Sequence, residues 1–275
     1  EGVSYALTVP SSPNNYVNKF KTGYPDQDVT EFSVLLPFTY AGVAGVYMYD
    51  PPSQLLAGEE FSYLAYFVVG DGDVASTTDV IYELRGLPTG TFGGRVVDAR
   101  SSAGIARASV FILDDQDRPI NQIETDDNGS FLAKLPAGTY KYVAVTDDRL
   151  IDTPRTMTIT AGAQTFPNSN GLIQMAPPAT LVVATIDEVG RHAPSKVQLI
   201  GHRTPPSPGA DPRGYLYDLR LNERLRPTAF DGSDNYIEGA WWTKDGRVQA
   251  RVRPGVYEVV VSRGPEYEVT TKTVD

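Results

Sequence analysis

From residue 93 onward, apolar and polar side chains alternate in short runs cut by Gly, Pro, Asn and Asp. That texture predicts strands joined by tight turns. A strand starts at about Gly94. The next, from Ala108, sets Val110 and Ile112 against Ser109, Phe111 and Leu113, and a third covers 121–125. Residues 125–148 hold two more: Asp127-Asn128-Gly129 makes a tight turn, Phe131 opens a strand, and Pro136-Ala137-Gly138 turns the chain back into 140–145. Upstream, the apolar run 32–49, broken by Pro37, Gly42 and Gly45, predicts two strands, and 60–70 predicts a strand buried on both faces. One helix is predicted at about 74–85, from the spacing of Val74, Thr77 or Thr78, Ile81 and Leu84 or Arg85. Asp73 or Ser76 caps its start, Gly86 takes a left-handed C-terminal position, and Pro88 forbids continuation. Gly70-Asp71-Gly72-Asp73 lacks the rest of a twelve-residue calcium loop and reads as this cap and turn.

The same grammar returns near the end of the chain. Residues 181–202 give strand, turn, strand, and 243–264 give a closing hairpin. Asn128-Gly129 aligns with Asp245-Gly246, Gly138 with Gly255, and Tyr140 with Tyr257, each pair offset by 117 residues. Coincidence of these pairs within one turn–strand–turn–strand frame indicates an internal duplication. Gly129 and Gly246 permit positive φ, and Tyr140 and Tyr257 begin the return strand, where a hydroxyl finds a backbone partner. All these residues are read as keepers of the fold. Residues 203–242 interrupt the second copy as a long loop insertion, with Pro205, Pro206, Pro208 and Pro212 excluding a central strand.

Charge supports three units. Residues 1–90 carry 3 basic and 11 acidic side chains, 91–180 carry 8 and 10, and 181–275 carry 13 and 13. The units are drawn as 1–90, β-rich and ending in the helix; 91–178, a β-sandwich; and 179–275, a second, diverged sandwich carrying the insertion. The fold class is mostly β: tandem immunoglobulin-like or prealbumin-like sandwiches after a β-rich unit with one short helix. A net charge of −10 disfavours nucleic acid as partner. No stretch reaches 18 apolar residues, so no membrane-inserting helix is expected. The chain opens without Met or a secretory signal, which reads as a piece of a longer protein.

Candidate chemistry is sparse. With no Cys and two His, cysteine nucleophiles, iron–sulfur centres and Cys-ligated zinc are excluded. His192 is placed in a loop and His202 at a strand end; Ser195 near His192 has no nucleophile elbow around it. Asp114, Asp115, Asp117, Asp126 and Asp127 read as turn chemistry, with calcium the weaker alternative. No catalytic residue, metal ligand or cofactor is assigned. Trp241 and Trp242 are adjacent, so on a strand they point to opposite faces. With Tyr236 they are the binding candidates, for a neighbouring domain or, alternatively, for stacking on a sugar.

Residues 93–145, carrying Gly94, Val96, Val97, Asp98, Gly104, Ala108, Val110, Thr125, Asp126, Asn128, Gly129, Phe131, Pro136, Gly138 and Tyr140, resemble the carboxypeptidase regulatory-like domain, also described as prealbumin-like or carbohydrate-binding-like. The resemblance implies a sandwich that serves as a structural accessory in secreted and cell-surface proteins. Residues 66–86 and 253–274 are similar to the non-catalytic part of bacterial metallo-hydrolases of the PHP superfamily. That similarity implies an exported bacterial parent, extracellular, surface-bound or periplasmic, with its metal-dependent hydrolase domain beyond Asp275. No metal ligand of that family maps onto this chain. The expected function is therefore a non-catalytic module that positions or stabilises an adjacent domain of the same parent. A carbohydrate-binding module or an adhesion stalk is the alternative.

Overall fold

A computed structural model of the chain describes residues 2–8, 56–58, 66–202 and 235–275. The strands expected over 32–49 lie outside them. The described residues form a mostly β protein with one short helix. Strands β1 (Ser4–Thr8) and β2 (Tyr66–Gly70) pair antiparallel and lead into α1 (Ala75–Leu84). The expectation that residues 60–70 are buried on both faces is corrected over β2. Only Val68 is buried there, while Tyr66, Phe67 and Val69 are exposed among the described residues. At the helix start the Asp73 carboxylate accepts the Ser76 N–H at 2.8 Å, so Asp73 is the acceptor and the Ser76 hydroxyl bonds back to the Asp73 carbonyl. Gly86 takes φ +60° beyond the last turn, as its position predicts.

The first sandwich follows. Its strands are β3 (Thr89–Asp98), β4 (Ser109–Leu113), β5 (Pro119–Glu124), β6 (Ser130–Pro136), β7 (Gly138–Val145), β8 (Arg155–Ile159), β9 (Gln164–Thr165) and β10 (Leu172–Met175). One sheet has the order β10-β3-β6, with β9 also against β3; the other is β5-β4-β7-β8. Alternating side chains from both sheets fill the space between them: Phe92 and Val96 of β3, Val110 and Ile112 of β4, Phe131, Ala133 and Leu135 of β6, Tyr142 of β7, Ile173 and Met175 of β10. Strand β3 begins at Thr89, not at Gly94. Gly90, Gly93 and Gly94 weaken its strand signal, and the fold uses two of them as places where other backbone comes close.

Helix α1 closes the gap between the two sheets at one side. Ala75 enters the core. Asp73 accepts the Glu124 N–H of β5 at 3.0 Å, and Asp79 accepts the Lys134 N–H of β6 at 2.8 Å. Burial raises the Asp79 pKa, opposed by the Lys134 N–H and then by the Lys134 ammonium. The helix thus occupies backbone donors that would otherwise form open sheet edges.

The second sandwich has β11 (Ala179–Ala184), β12 (Ser195–His202), β13 (Asn235–Thr243), β14 (Arg247–Val252), β15 (Tyr257–Ser262) and β16 (Thr270–Val274). Its larger sheet, β13-β12-β15-β16, repeats the order β5-β4-β7-β8, and β11-β14 repeats β3-β6. The inferred insertion 203–242 is therefore too long. Residues 235–243 are strand β13, the counterpart of β5; the rest of the insertion lies outside the described residues.

The duplication extends to single hydrogen bonds. Val96 N–H donates to Gly129 O at 2.7 Å, and Thr185 N–H to Gly246 O at 2.7 Å. Gly129 has φ +79° and Gly246 φ +68°. The Tyr140 hydroxyl donates to Pro136 O at 3.1 Å and the Tyr257 hydroxyl to Arg253 O at 2.8 Å. Each tyrosine ties the return strand to the turn four residues before it. Tyr140→Phe and Tyr257→Phe are each expected to cost about 1 kcal/mol, because a carbonyl loses its partner. Urea denaturation of the two variants checks this, and midpoints equal to wild type would show that these bonds are not stabilising.

Candidate functional site

Trp241 and Trp242, two of the three sequence-derived binding residues, do not share one face. Strand β13 pairs with β12, setting Trp241 opposite Val197 and Trp242 opposite Lys196. Trp241 is half-buried and packs on the second core. Trp242 is 75% exposed, with the Lys196 ammonium 5.5 Å from its ring centroid. The two indoles thus serve opposite faces, as alternation along a strand requires. The Tyr236 side chain lies outside the described residues. His192 is exposed and accepts from Arg247 Nε at 3.1 Å, while the Ser195 hydroxyl bonds Thr185 Oγ1 at 3.0 Å. The described geometry gives no Ser195–His192 pair. The His202 side chain lies outside the described residues.

Asp126 and Asp114 act on their own loops, whereas Asp117 accepts from Lys141 Nζ of β7 at 2.7 Å. Asp126 accepts from Asn128 and Ser130 N–H, and Asp114 from Gln116 and Arg118 N–H. Asp98, the last residue of β3, and Asp187, beyond β11, occupy matching places, accepting Arg100 and Ser101 N–H in one case and Val189 and Arg191 N–H in the other. The Arg191 N–H holds the Asp187 carboxyl below the usual range, and the Thr243 hydroxyl does the same for Asp245. Among the described residues, no group of three or more His, Asp and Glu is placed to hold a metal.

The most developed polar arrangement lies where the sandwiches meet. Arg149, after β7, is 4% exposed. Its Nη1 donates to Asp98 Oδ2 at 2.7 Å and to Ala176 O at 2.8 Å. The Ser101 N–H, then this guanidinium, hold the Asp98 carboxyl far below the usual carboxylate range. Asp148 continues the chain of charges: its Oδ2 meets Arg251 Nη2 of the second sandwich at 2.7 Å, and its Oδ1 stands 3.8 Å from Arg149 Nε. Asp98, Ser101, Arg107, Asp148, Arg149 and Arg251 line an open groove of about 890 Å³ together with Pro178. The linker between the sandwiches is only Ala176, Pro177 and Pro178, set between β10 and β11.

Sequence reasoning missed this junction. Its members are single charged residues 51 and 103 positions apart (Asp98 to Arg149, Asp148 to Arg251), with no spacing signal. The adjacent prolines were the available hint, because Pro177-Pro178 stiffens a boundary.

Solved structures give distant likenesses. A streptococcal ancillary pilin is 12% identical over 68% of this chain, TM-score 0.35; the chain spans 59% of that protein's length. The shaft pilin SpaA of Lactobacillus rhamnosus GG is 10% identical over 67% of this chain and 92% of its own, TM-score 0.34. A DUF3823 family protein of Bacteroides ovatus is 11% identical over 68% of this chain and 98% of its own, TM-score 0.27. No curated protein matches the chain. Residues 91–168, which run from within β3 to the loop before β10, match the family model of the carboxypeptidase regulatory-like domain.

Proposed function

We propose that this chain is a non-catalytic structural and interaction module that holds two sandwiches at a set spacing and so positions a neighbouring domain of a larger, exported protein. The observation that carries the reading is the junction. A three-residue linker leaves β10 with its first carbonyl bound to the buried Arg149, and its next two residues are prolines. Fixed φ at Pro177 and Pro178 and a carbonyl anchored in the first sandwich leave the connection little slack. A metal-dependent hydrolase remains the proposed neighbour, on the family resemblance of residues 66–86 and 253–274. The proposed setting is outside the cytoplasm, at the cell surface or in the periplasm.

The test is a linker variant, Pro177→Gly with Pro178→Gly, carrying one fluorophore on each sandwich. The distance distribution should broaden in the variant while each sandwich melts within a few degrees of wild type. A wild-type distribution as broad as the variant's would remove the spacer reading. The exposed Trp242 supports a second reading, stacking on a glycan. Quenching of its fluorescence by soluble oligosaccharides, lost in Trp242→Ala, would favour that one.

A further inference from the structure

The connection between the sandwiches is gripped on both sides of its prolines by neighbouring residues of one loop. That loop follows β7 and carries Asp148 and Arg149. Arg149 holds the linker where it starts: its Nη1 donates to the carbonyls of Ala176 at 2.8 Å and Met175 at 3.4 Å. Asp98 Oδ2 accepts from the same nitrogen at 2.7 Å, so the start of the linker moves with the first sandwich. Asp148 holds the far side, where its Oδ2 meets Arg251 Nη2 at 2.7 Å. Arg251 lies on β14 opposite Thr180 of β11, close behind Pro178.

The two grips differ in strength. Arg149 is buried, and breaking its bonds strands a buried carboxylate. The Arg251 side chain is 59% exposed and that of Asp148 21%. Asp148 is aimed from within the first sandwich: its Oδ1 accepts from the Thr146 hydroxyl at 3.1 Å and stands 3.8 Å from Arg149 Nε. Asp148 and Arg251 line the open groove together with Pro178, so water and dissolved ions reach the pair. An ion pair this exposed shifts an equilibrium by up to about fivefold, and salt screens it. The prolines fix φ at 177 and 178 and restrict the residues before them, which leaves rotation to ψ of Pro178, on the Arg251 side of the anchored carbonyls.

We infer that Asp148 and Arg251 form an ionic latch that sets the angle between the two sandwiches and yields to ionic strength, while the anchored linker keeps their spacing. The inference rests on the spacer reading and adds to it a bend with two populations, latched and released. Low ionic strength favours the latched one, because the attraction between the two charges then acts unscreened. Raising the salt weakens the latch and leaves the buried Arg149 anchor in place. Such a spacer has a constant length and an adjustable direction. Arg251 directs its charge to Asp148 and solvent, not into either core, so it is exchangeable without unfolding a sandwich.

Single-molecule energy transfer on the full chain tests the latch. The chain has no cysteine, so Leu132→Cys and Thr273→Cys, both at exposed positions, place one dye on each sandwich. At about 0.05 M salt one narrow population should dominate, and a second should grow relative to it by about twofold to fivefold on going to about 1 M. Arg251→Ala should show the second population already at low salt and no response to salt. Arg251→Glu sets like charges together, so its salt response should have the opposite sign. Melting within a few degrees of wild type shows that the sandwiches of each variant are intact. Should Arg251→Ala fail to fold, Asp148→Asn, which removes the partner charge, should give its result and decides. A narrow population that ignores both salt and Arg251→Ala overturns the latch and leaves the spacer standing. A salt response that Arg251→Ala retains overturns the latch as well. A wild-type distribution as broad at every salt concentration as that of the Pro177→Gly, Pro178→Gly chain removes the spacer, and the latch with it.

Discussion

Phe92→Ala is expected to destabilise the first sandwich by about 4 kcal/mol, the middle of the range for truncating a fully buried aromatic. Phe92 has no exposed surface. Its ring centroid lies 5.2 Å from that of Phe131 and 5.2 Å from that of Tyr142, in tilted contacts. The substitution removes apolar burial and both ring contacts, and it opens a cavity. That cavity sits between three strands of two sheets, and their ladders limit collapse into it. Phe67→Ala on β2 removes the same side chain from a site 68% exposed and should cost under about 1 kcal/mol. Urea titrations of both variants provide the comparison. A Phe92→Ala loss below about 1.5 kcal/mol would show that the core repacks and that the three-ring cluster does not organise it.

Arg149→Ala should lower the melting temperature of the first sandwich by on the order of 10 °C, because it strips a buried carboxylate of its cation and leaves the Ala176 carbonyl without its donor. Replacing both members, Arg149→Met with Asp98→Asn, should recover much of the loss, since no charge is then stranded. The pH dependence has a definite sign. The Asp98 carboxyl is held far below its ordinary value in the folded state. Its contribution is therefore complete above the unfolded pKa of about 4 and is lost as the pH falls through the lower, folded value. The stability gap between wild type and Asp98→Asn should stay level from about pH 7 to about 5 and close only in stronger acid. A gap that closed near neutrality would assign it to another group.

What is legible in the sequence is local. The turns at Asn128-Gly129 and Asp245-Gly246 state their backbone requirement in their own residues, so their correspondence is legible from the sequence alone. Capping by Asp73 and the stop at Gly86 are legible for the same reason. The closing hairpin expected over 243–264, and its counterpart over 125–148, are corrected: β6 and β7, like β14 and β15, lie in different sheets, because in each pair the turn carries the chain across the sandwich rather than back along one sheet. The elements that escape such a reading depend on distant partners. Strand β10 is four residues long and joins β3 in parallel from more than seventy residues away. The first half of β3 is hidden by glycines whose use is to admit backbone from elsewhere. Strand β13 hides at the end of a proline-rich insertion, although Trp241 and Trp242 lie on it. Alternation placed those two indoles correctly on opposite faces, and for that same reason they do not join into one cluster. The junction is invisible in the sequence because Asp98, Asp148, Arg149 and Arg251 acquire meaning only when two folded units meet.

The parallel pairing of β10 with β3 also determines how the first sandwich carries a load. The chain enters β3 at Thr89, and it leaves β10 at Met175 directly into the linker. Tension on a chain held at its two ends pulls these neighbouring strands lengthwise in opposite senses. The bonds from Arg95 to Gly171 and from Ala99 to Met175 lie across that pull and share it at the same moment. Strands joined by a hairpin and drawn apart at their free ends instead release their bonds one by one from the tip. The strand that completes the core is thus also the one whose sliding must precede any mechanical opening of the sandwich.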